Sequence, residues 1–100
     1  MSFNLAEKLE EEYDLDNDMV LLADGFEDAF IGLGKQFTNL YAIYDRQKCI
    51  DILMQRDGMD HEEAEEYFEY NVQGAWMGNK TPLFLTRSEL WEERKNKLLN

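Results

Sequence analysis

Four carboxylates at the ends of a predicted hairpin are the side chains best placed to do chemistry together. Asp24, Glu27 and Asp28 precede its first strand, and Asp45 follows its second strand. Because an antiparallel hairpin returns the chain, Asp45 can come close to Asp28. Clustered carboxylates bind Mg²⁺ or act as an acid–base pair. We favour the simpler interpretation, in which Asp24 forms a turn with Gly25 and Asp45 caps a helix.

An acidic run before the hairpin has part of the spacing of a calcium-binding loop. Asp14, Asp16 and Asp18 stand at alternate positions, as the first ligands of an EF-hand loop do. Met19 follows where that loop needs glycine, and Gly25 stands where its bidentate glutamate belongs. The run is therefore predicted to be a solvated linker.

The single histidine and the single cysteine give little further chemistry. His61 lies in the first turn of an acidic helix, without a second histidine or cysteine at metal-ligand spacing, so we expect it on the surface. Cys49 falls on an apolar helix face beside Ile50 and Leu53, which predicts a small buried hydrophobe. No phosphate-binding loop or dinucleotide fingerprint is present. We expect a non-enzymatic protein without a cofactor or metal.

The most acidic segment, residues 57–72, carries seven acids and no lysine or arginine. Asp60 and Glu63 form a capping-box pattern that begins a helix, and Gly74 is its expected end. The helix is predicted to turn one face to the core and its remaining glutamates to solvent. The inward residues are predicted to be Ala64, Tyr67, Phe68, Asn71 and Val72, and the outward ones Glu62, Glu65, Glu66 and Glu69.

The outward edge of this helix is the predicted partner-binding surface. Its like-charge pairs four residues apart each cost roughly 0.2–0.5 kcal/mol, which a basic partner would offset. Two nearby aromatic residues extend the prediction, because tyrosine and tryptophan dominate interface hot spots. The predicted set is Glu62, Glu65, Glu66, Glu69, Tyr70 and Trp76. One form of this hypothesis is a nucleic-acid mimic, with carboxylates in place of backbone phosphates.

The overall charge limits the partner. The chain has 22 Asp and Glu against 10 Lys and Arg, a net charge of −12. This excess opposes nucleic acid and anionic membranes, because both are bound through lysine and arginine. We therefore expect a protein with a basic surface as partner. The alternative is a homo-oligomeric accessory or scaffold subunit, in which the basic C-terminal helix meets the acidic helix of a neighbouring copy.

The 100 residues predict a single α+β domain with a small antiparallel sheet of three or four strands covered by helices. We divide it into an acidic N-terminal helix and loop (1–18), a core (19–85) and a C-terminal helix (86–100). The expected elements are helices over 3–13, 46–56, 61–73 and 87–98, strands over 29–33, 40–44 and 83–85, and a strand or buried segment over 19–23. The lone cysteine and the lack of long apolar runs favour a cytoplasmic protein.

Several motifs from Ala23 to Leu85 occur together and in order. They are Asp24-Gly25-Phe26-Glu27-Asp28-Ala29-Phe30-Ile31-Gly32, Tyr44-Asp45, Lys48-Cys49-Ile50, Leu53-Met54, Arg56-Asp57-Gly58-Met59, Glu63-Ala64-Glu65-Glu66-Tyr67-Phe68, Asn71-Val72, Gly74-Ala75, Gly78 and Thr81-Pro82. This block resembles a group of small acidic uncharacterised proteins of bacteriophages and bacteria. The resemblance implies a phage or bacterial origin and a shared fold, and it implies no activity.

Overall fold

The computed structural model describes residues 5–13, 20–75, 78 and 81–88. Three helices and a three-stranded sheet form a small α+β fold, as the sequence predicts. In chain order the elements are α1 (Leu5–Tyr13), a 3-10 turn (Glu27–Ala29), β1 (Phe30–Gln36), β2 (Asn39–Asp45), α2 (Arg46–Asp57), α3 (His61–Tyr67), a π-helical segment (Phe68–Gln73) and β3 (Leu83–Leu85).

The sheet is mixed rather than antiparallel throughout. Its strand order is β1-β2-β3, with β1 antiparallel and β3 parallel to β2. The physical reason is the connection: two helices lie between β2 and β3, so the chain returns before it enters the last strand. The predicted third strand is therefore confirmed, but its predicted direction is wrong.

The hairpin between β1 and β2 is longer than predicted. Residues 34–36 and 39 continue the two strands, and only Phe37 and Thr38 form the loop. The predicted six-residue connection is therefore wrong. The strand register shifts between Phe30 and Gly32, which marks a β-bulge or similar irregularity in β1.

The helices begin and end where capping residues predict. Asp45 accepts a hydrogen bond from the Lys48 amide at the start of α2, and Gly58 ends that helix in the left-handed conformation. In α1, Leu5 and Leu9, four residues apart on one face, are buried. Residues 20–23 do not form a strand, although Val20 is buried, which agrees with the alternative of a buried segment.

The core lies between one face of the sheet and the helices α2 and α3. Tyr44 stands at its centre, with the ring of Phe30 at 5.6 Å and that of Phe84 at 5.8 Å. Phe68 packs edge-on against Phe84 at 5.0 Å. The fully enclosed members also include Ala29, Ala42, Cys49, Ile50, Leu53 and Ala64. The contact of Phe68 with Phe84 thus joins the π-helical segment that follows α3 to strand β3 of the sheet.

Three predicted segments lie outside the described residues: the first two residues of the N-terminal helix (3–4), the calcium-like run (14–18) and residues 89–98 of the C-terminal helix. Residues 87 and 88, at the predicted start of that last helix, are described and are not helical. Trp76, one of the predicted partner-binding residues, also lies outside them.

Candidate functional site

The candidate site is built on α3, and Asp60 positions its first turn. The Asp60 carboxylate accepts the Glu63 amide N–H at 2.9 Å, which caps the helix. This backbone hydrogen bond lowers the pKa of Asp60. The side chains of the two acids also share a hydrogen bond, which raises the pKa of Glu63. The capping box predicted from the sequence is therefore present.

The second half of the site lies on the π-helical segment. Its wider turn is closed by the Gly74 amide, which donates to the carbonyl of Glu69 at 2.9 Å. The Asn71 side chain donates to the carbonyl of Tyr67 at 3.3 Å. Within this turn the Tyr70 side chain is 80% exposed. The π segment thus presents a large aromatic ring on the surface.

Together α3 and the π segment form a shallow groove of about 350 Å³, which we name the acidic–aromatic groove. Two glutamates and two tyrosines give the groove its chemistry, and its described lining contains no lysine or arginine. The lining residues are Met59, Glu63, Glu66, Tyr67, Tyr70 and Asn71. Carboxylates beside exposed aromatic rings form a surface suited to cationic side chains.

The predicted inward face is narrower than expected. Ala64 and Phe68 are fully buried, and Val72 packs against the core. Tyr67 is 43% exposed, and Asn71 is exposed as well. The prediction of burial was wrong for Tyr67 and Asn71. The residues that contact the core are Ala64, Phe68 and Val72, which are spaced by four along the chain. The exposure of Tyr67 and Asn71 supplies one side of the acidic–aromatic groove.

The four glutamates of the predicted outward edge have different surroundings. Glu66 lines the groove, and Glu62 is exposed. Glu65 lies 3.6 Å from the imidazole of His61. Glu69 forms an ion pair of 3.0 Å with Arg46 of α2. The structure therefore does not bring the four together as one uniform row.

Arg46 is a residue that the sequence reasoning missed. Besides its ion pair with Glu69, its guanidinium lies 5.6 Å from the centre of the Phe68 ring. Its Nε donates to the side-chain oxygen of Gln73 at 3.5 Å. No local pattern predicts these contacts, because the partners lie 23 and 27 residues away. Through these contacts Arg46 connects α2 to the π segment.

The four hairpin carboxylates do not converge on one point. Asp45 is 4% exposed, caps α2 and accepts a hydrogen bond from Arg87 at 2.7 Å. Glu27 accepts the Gly25 amide at 3.2 Å, as the turn interpretation suggests, while Asp24 and Asp28 are exposed. Among the residues that the structure describes, no three His, Cys, Asp or Glu side chains form a group that could hold a metal ion.

The surroundings of the cysteine and the histidine follow the sequence prediction. Cys49 is completely buried, and burial, together with the charge of Asp45, raises the pKa of its thiol to about 12. A thiol with this pKa is a poor nucleophile at neutral pH. His61 is exposed beside Glu65. Neither residue lies in a site for nucleophilic catalysis.

A second surface feature lies at the hairpin, and the sequence did not predict which residues line it. A cleft of about 700 Å³ opens between the distal half of the hairpin and the approach to β3. We name it the hairpin cleft. Its lining residues are Gly34, Lys35, Gln36, Tyr41, Gln73, Thr81, Pro82 and Leu83. Phe37, at the tip of the same hairpin, is 90% exposed.

Comparison with known proteins finds no match for this chain. No protein-family model matches the chain, and neither the curated proteins nor the solved structures include a significant match. None of the helices in the described part of the chain is long and apolar enough to cross a membrane.

Proposed function

We propose that the protein is a non-enzymatic interaction protein that binds a basic protein surface through its acidic–aromatic groove. The observation that carries the proposal is the groove itself, where Glu63 and Glu66 lie beside the exposed rings of Tyr67 and Tyr70. We extend the proposal to a phage or bacterial protein that acts in the cytoplasm of a bacterial cell, as its resemblance suggests.

Charge around the groove supports a cationic partner. Residues 57–69 contain seven acids, of which Asp57 and Glu69 are paired with arginines. Five acids remain, and the single histidine of the segment lies beside one of them. Such an excess of one sign accelerates encounter with an oppositely charged protein and repels polyanions.

The strength of each contact favours an extended partner. A lysine or arginine over an exposed tyrosine ring gains about 0.5–1 kcal/mol, and an exposed ion pair about 0.2–1 kcal/mol. One cationic side chain would therefore bind only weakly. Several contacts along the groove are needed, which favours a basic protein segment over a small cation.

The structure favours this form over nucleic-acid mimicry. A mimic needs a regular row of carboxylates that stands in for successive phosphates. Glu69 is already paired with Arg46, and Glu65 lies beside His61, so the row is interrupted. The groove instead offers carboxylates and aromatic rings side by side, which suits lysine and arginine side chains.

The test is a comparison of two charge reversals that change the net charge equally. Glu66→Lys alters the groove, whereas Glu10→Lys alters an exposed position of α1. Proteins captured from a bacterial lysate are identified by mass spectrometry at about 50 and about 300 mM salt, since salt screens exposed charges. We expect a partner retained by wild type and Glu10→Lys, lost by Glu66→Lys, and weakened by salt.

Two outcomes would contradict the proposal. One is equal loss of the captured proteins in both variants, which would mean that only net charge matters. The other is a set of partners that is unchanged by Glu66→Lys and by salt. Circular dichroism of both variants verifies that the fold is retained.

A further inference from the structure

We propose that the hairpin cleft receives the hairpin tip of a second copy of this chain, so that two copies form a symmetric dimer. Phe37 of each copy enters the cleft of the other. This surface is separate from the acidic–aromatic groove, and the dimer does not depend on the proposed partner.

Phe37 has the properties of an interface anchor. It is one of the two residues of the hairpin loop, its ring is 90% exposed, and its φ is +55°. A bulky side chain rarely adopts a positive φ, and glycine or asparagine is common in such loops. The chain thus places a large apolar ring in water at a position where a small polar residue would fit the backbone better.

The hairpin cleft suits an apolar ring. Tyr41, Pro82 and Leu83 give it apolar walls, and its volume of about 700 Å³ exceeds that of one aromatic side chain. Among the described residues that line it, Lys35 is the one charged side chain, and none is acidic. Leu83 is about half exposed at the rim of the cleft.

The distribution of charge favours the hairpin cleft as the surface for contact between copies. Each chain carries a net charge of −12, so two copies repel each other over most approaches. Among the described residues that line the hairpin cleft or form its tip, none carries a carboxylate. A second copy can therefore approach this part of the surface with little local repulsion.

The spacing within the hairpin fits a two-fold axis. Phe37 lies in the loop, two residues before β2 begins at Asn39, and Tyr41 is the third residue of β2. An axis beside Asn39, midway between them, sets Phe37 of one copy against the partner's Tyr41. The same operation sets the partner's Phe37 against Tyr41 of the first copy, as a self-complementary interface requires.

Sedimentation equilibrium of the full chain over a wide concentration range tests the dimer. We expect a concentration-dependent rise toward twice the mass of one chain, with tighter association as salt increases from about 50 to about 300 mM, because salt screens the repulsion. This salt dependence is opposite to that of the basic-partner interaction, so the two proposals fail separately. The mass of a single chain at every concentration and salt would overturn the dimer.

Phe37→Gly identifies the anchor without straining the loop, because glycine accepts a positive φ. We expect at least a tenfold weaker dimer, with an unchanged circular dichroism spectrum. Ile31→Ser is the control, since Ile31 is a partly exposed apolar residue of the same hairpin outside the cleft. Equal weakening in both variants, or a dimer that survives Phe37→Gly, would overturn the proposed contact.

Cross-linking tests the position of the axis. Cys49 is buried, so an engineered surface cysteine is the only accessible thiol. Asn39→Cys places two thiols near the axis and should form the inter-chain disulfide at least ten times faster than Gln55→Cys, an exposed control on α2. Equal rates for the two variants would place the interface elsewhere. They would count against the proposed symmetry even if sedimentation shows a dimer.

Discussion

The Nε of Arg87 donates to Oδ2 of Asp45 at 2.7 Å, across 42 residues of sequence. The other oxygen of the same carboxylate accepts the Lys48 amide at 3.1 Å and caps α2. Asp45 is 4% exposed, whereas the Arg87 side chain is 63% exposed. One buried carboxylate therefore connects the start of α2 to the segment that follows β3.

We expect Asp45→Ala to lower the free energy of unfolding by about 2–4 kcal/mol. The loss of a helix cap costs about 0.5–2 kcal/mol. The loss of a charged hydrogen bond adds about 1.5–3 kcal/mol. This second contribution is smaller here because the Arg87 side chain is exposed to solvent, which screens its charge. Asp60→Ala is the matched control, because Asp60 caps α3 while exposed to solvent. Asp60→Ala should cost less than Asp45→Ala, because solvent can replace part of what an exposed carboxylate does. Urea denaturation measures both, and equal losses would show that the Arg87 contact adds no stability.

Alkaline pH should unfold the protein through two buried groups. Burial raises the pKa of Cys49 from 9.0 to about 12 and that of Tyr44 from 10.0 to about 12. Because the folded-state pKa values are raised, their stabilisation is complete below pH 9 and is lost as the pH rises toward 12. Each group lowers the free energy of unfolding by about 1.4 kcal/mol per pH unit, Cys49 from pH 9.0 and Tyr44 from pH 10.0, up to about 12.

Urea denaturation at several pH values from about 8 to about 12 measures this dependence, since it follows the difference in bound protons between the two states. Cys49→Ala removes one of the two groups and should make the slope shallower above pH 9, relative to its own stability at neutral pH. An unchanged slope would show that the thiol ionises without cost in the folded protein.

Gly74→Ala should destabilise the π segment. A Cβ at this position would lie 2.7 Å from the carbonyl oxygen of Glu69 and 3.2 Å from that of Tyr70. Both contacts are with backbone, so the turn must move, at a cost of about 1–3 kcal/mol. Gly32→Ala is the control, because its Cβ would meet nothing within 4 Å. Thermal denaturation compares them, and equal melting temperatures would contradict the requirement for glycine at the end of the segment.

Phe68→Ala should cost about 3–5 kcal/mol, as expected for a fully buried phenylalanine. The ring contacts Phe84 and lies beneath Arg46, so its loss also weakens the contact of the π segment with the core. At protein concentrations low enough for the chain to be monomeric, Phe37→Ala should change stability by no more than about 0.5 kcal/mol, because that ring is exposed in the single chain. Urea denaturation separates the two, and a small effect of Phe68→Ala would mean that the core closes around the gap.

Sequence patterns predicted the features that depend on neighbouring residues. The Asp45 and Asp60 caps were predicted because each acts within one helical turn. The hairpin loop was overestimated because residues 34–36 lack the β-branched side chains typical of strands. Its two-residue tip carries phenylalanine in place of the usual glycine or asparagine, so the turn signal was absent.

Features set by distant contacts were not predictable in this way. The exposure of Tyr67 depends on how α3 packs against the core, and the ion pair of Glu69 depends on Arg46 of another helix. The parallel direction of β3 likewise depends on the path of the chain through α2 and α3. The groove that forms the candidate site lies on the predicted acidic helix, but its lining residues were visible only after packing was known.

The parallel pairing of β3 has a consequence for the order of folding. Hairpin strands joined by two residues meet within microseconds, whereas Ile43 pairs with Leu83 only after a long loop closes. We expect β1 and β2 to associate early and β3 to dock late. Substitutions at Phe84 should then accelerate unfolding more than they slow folding, whereas those at Ala42 should act mainly on the folding rate.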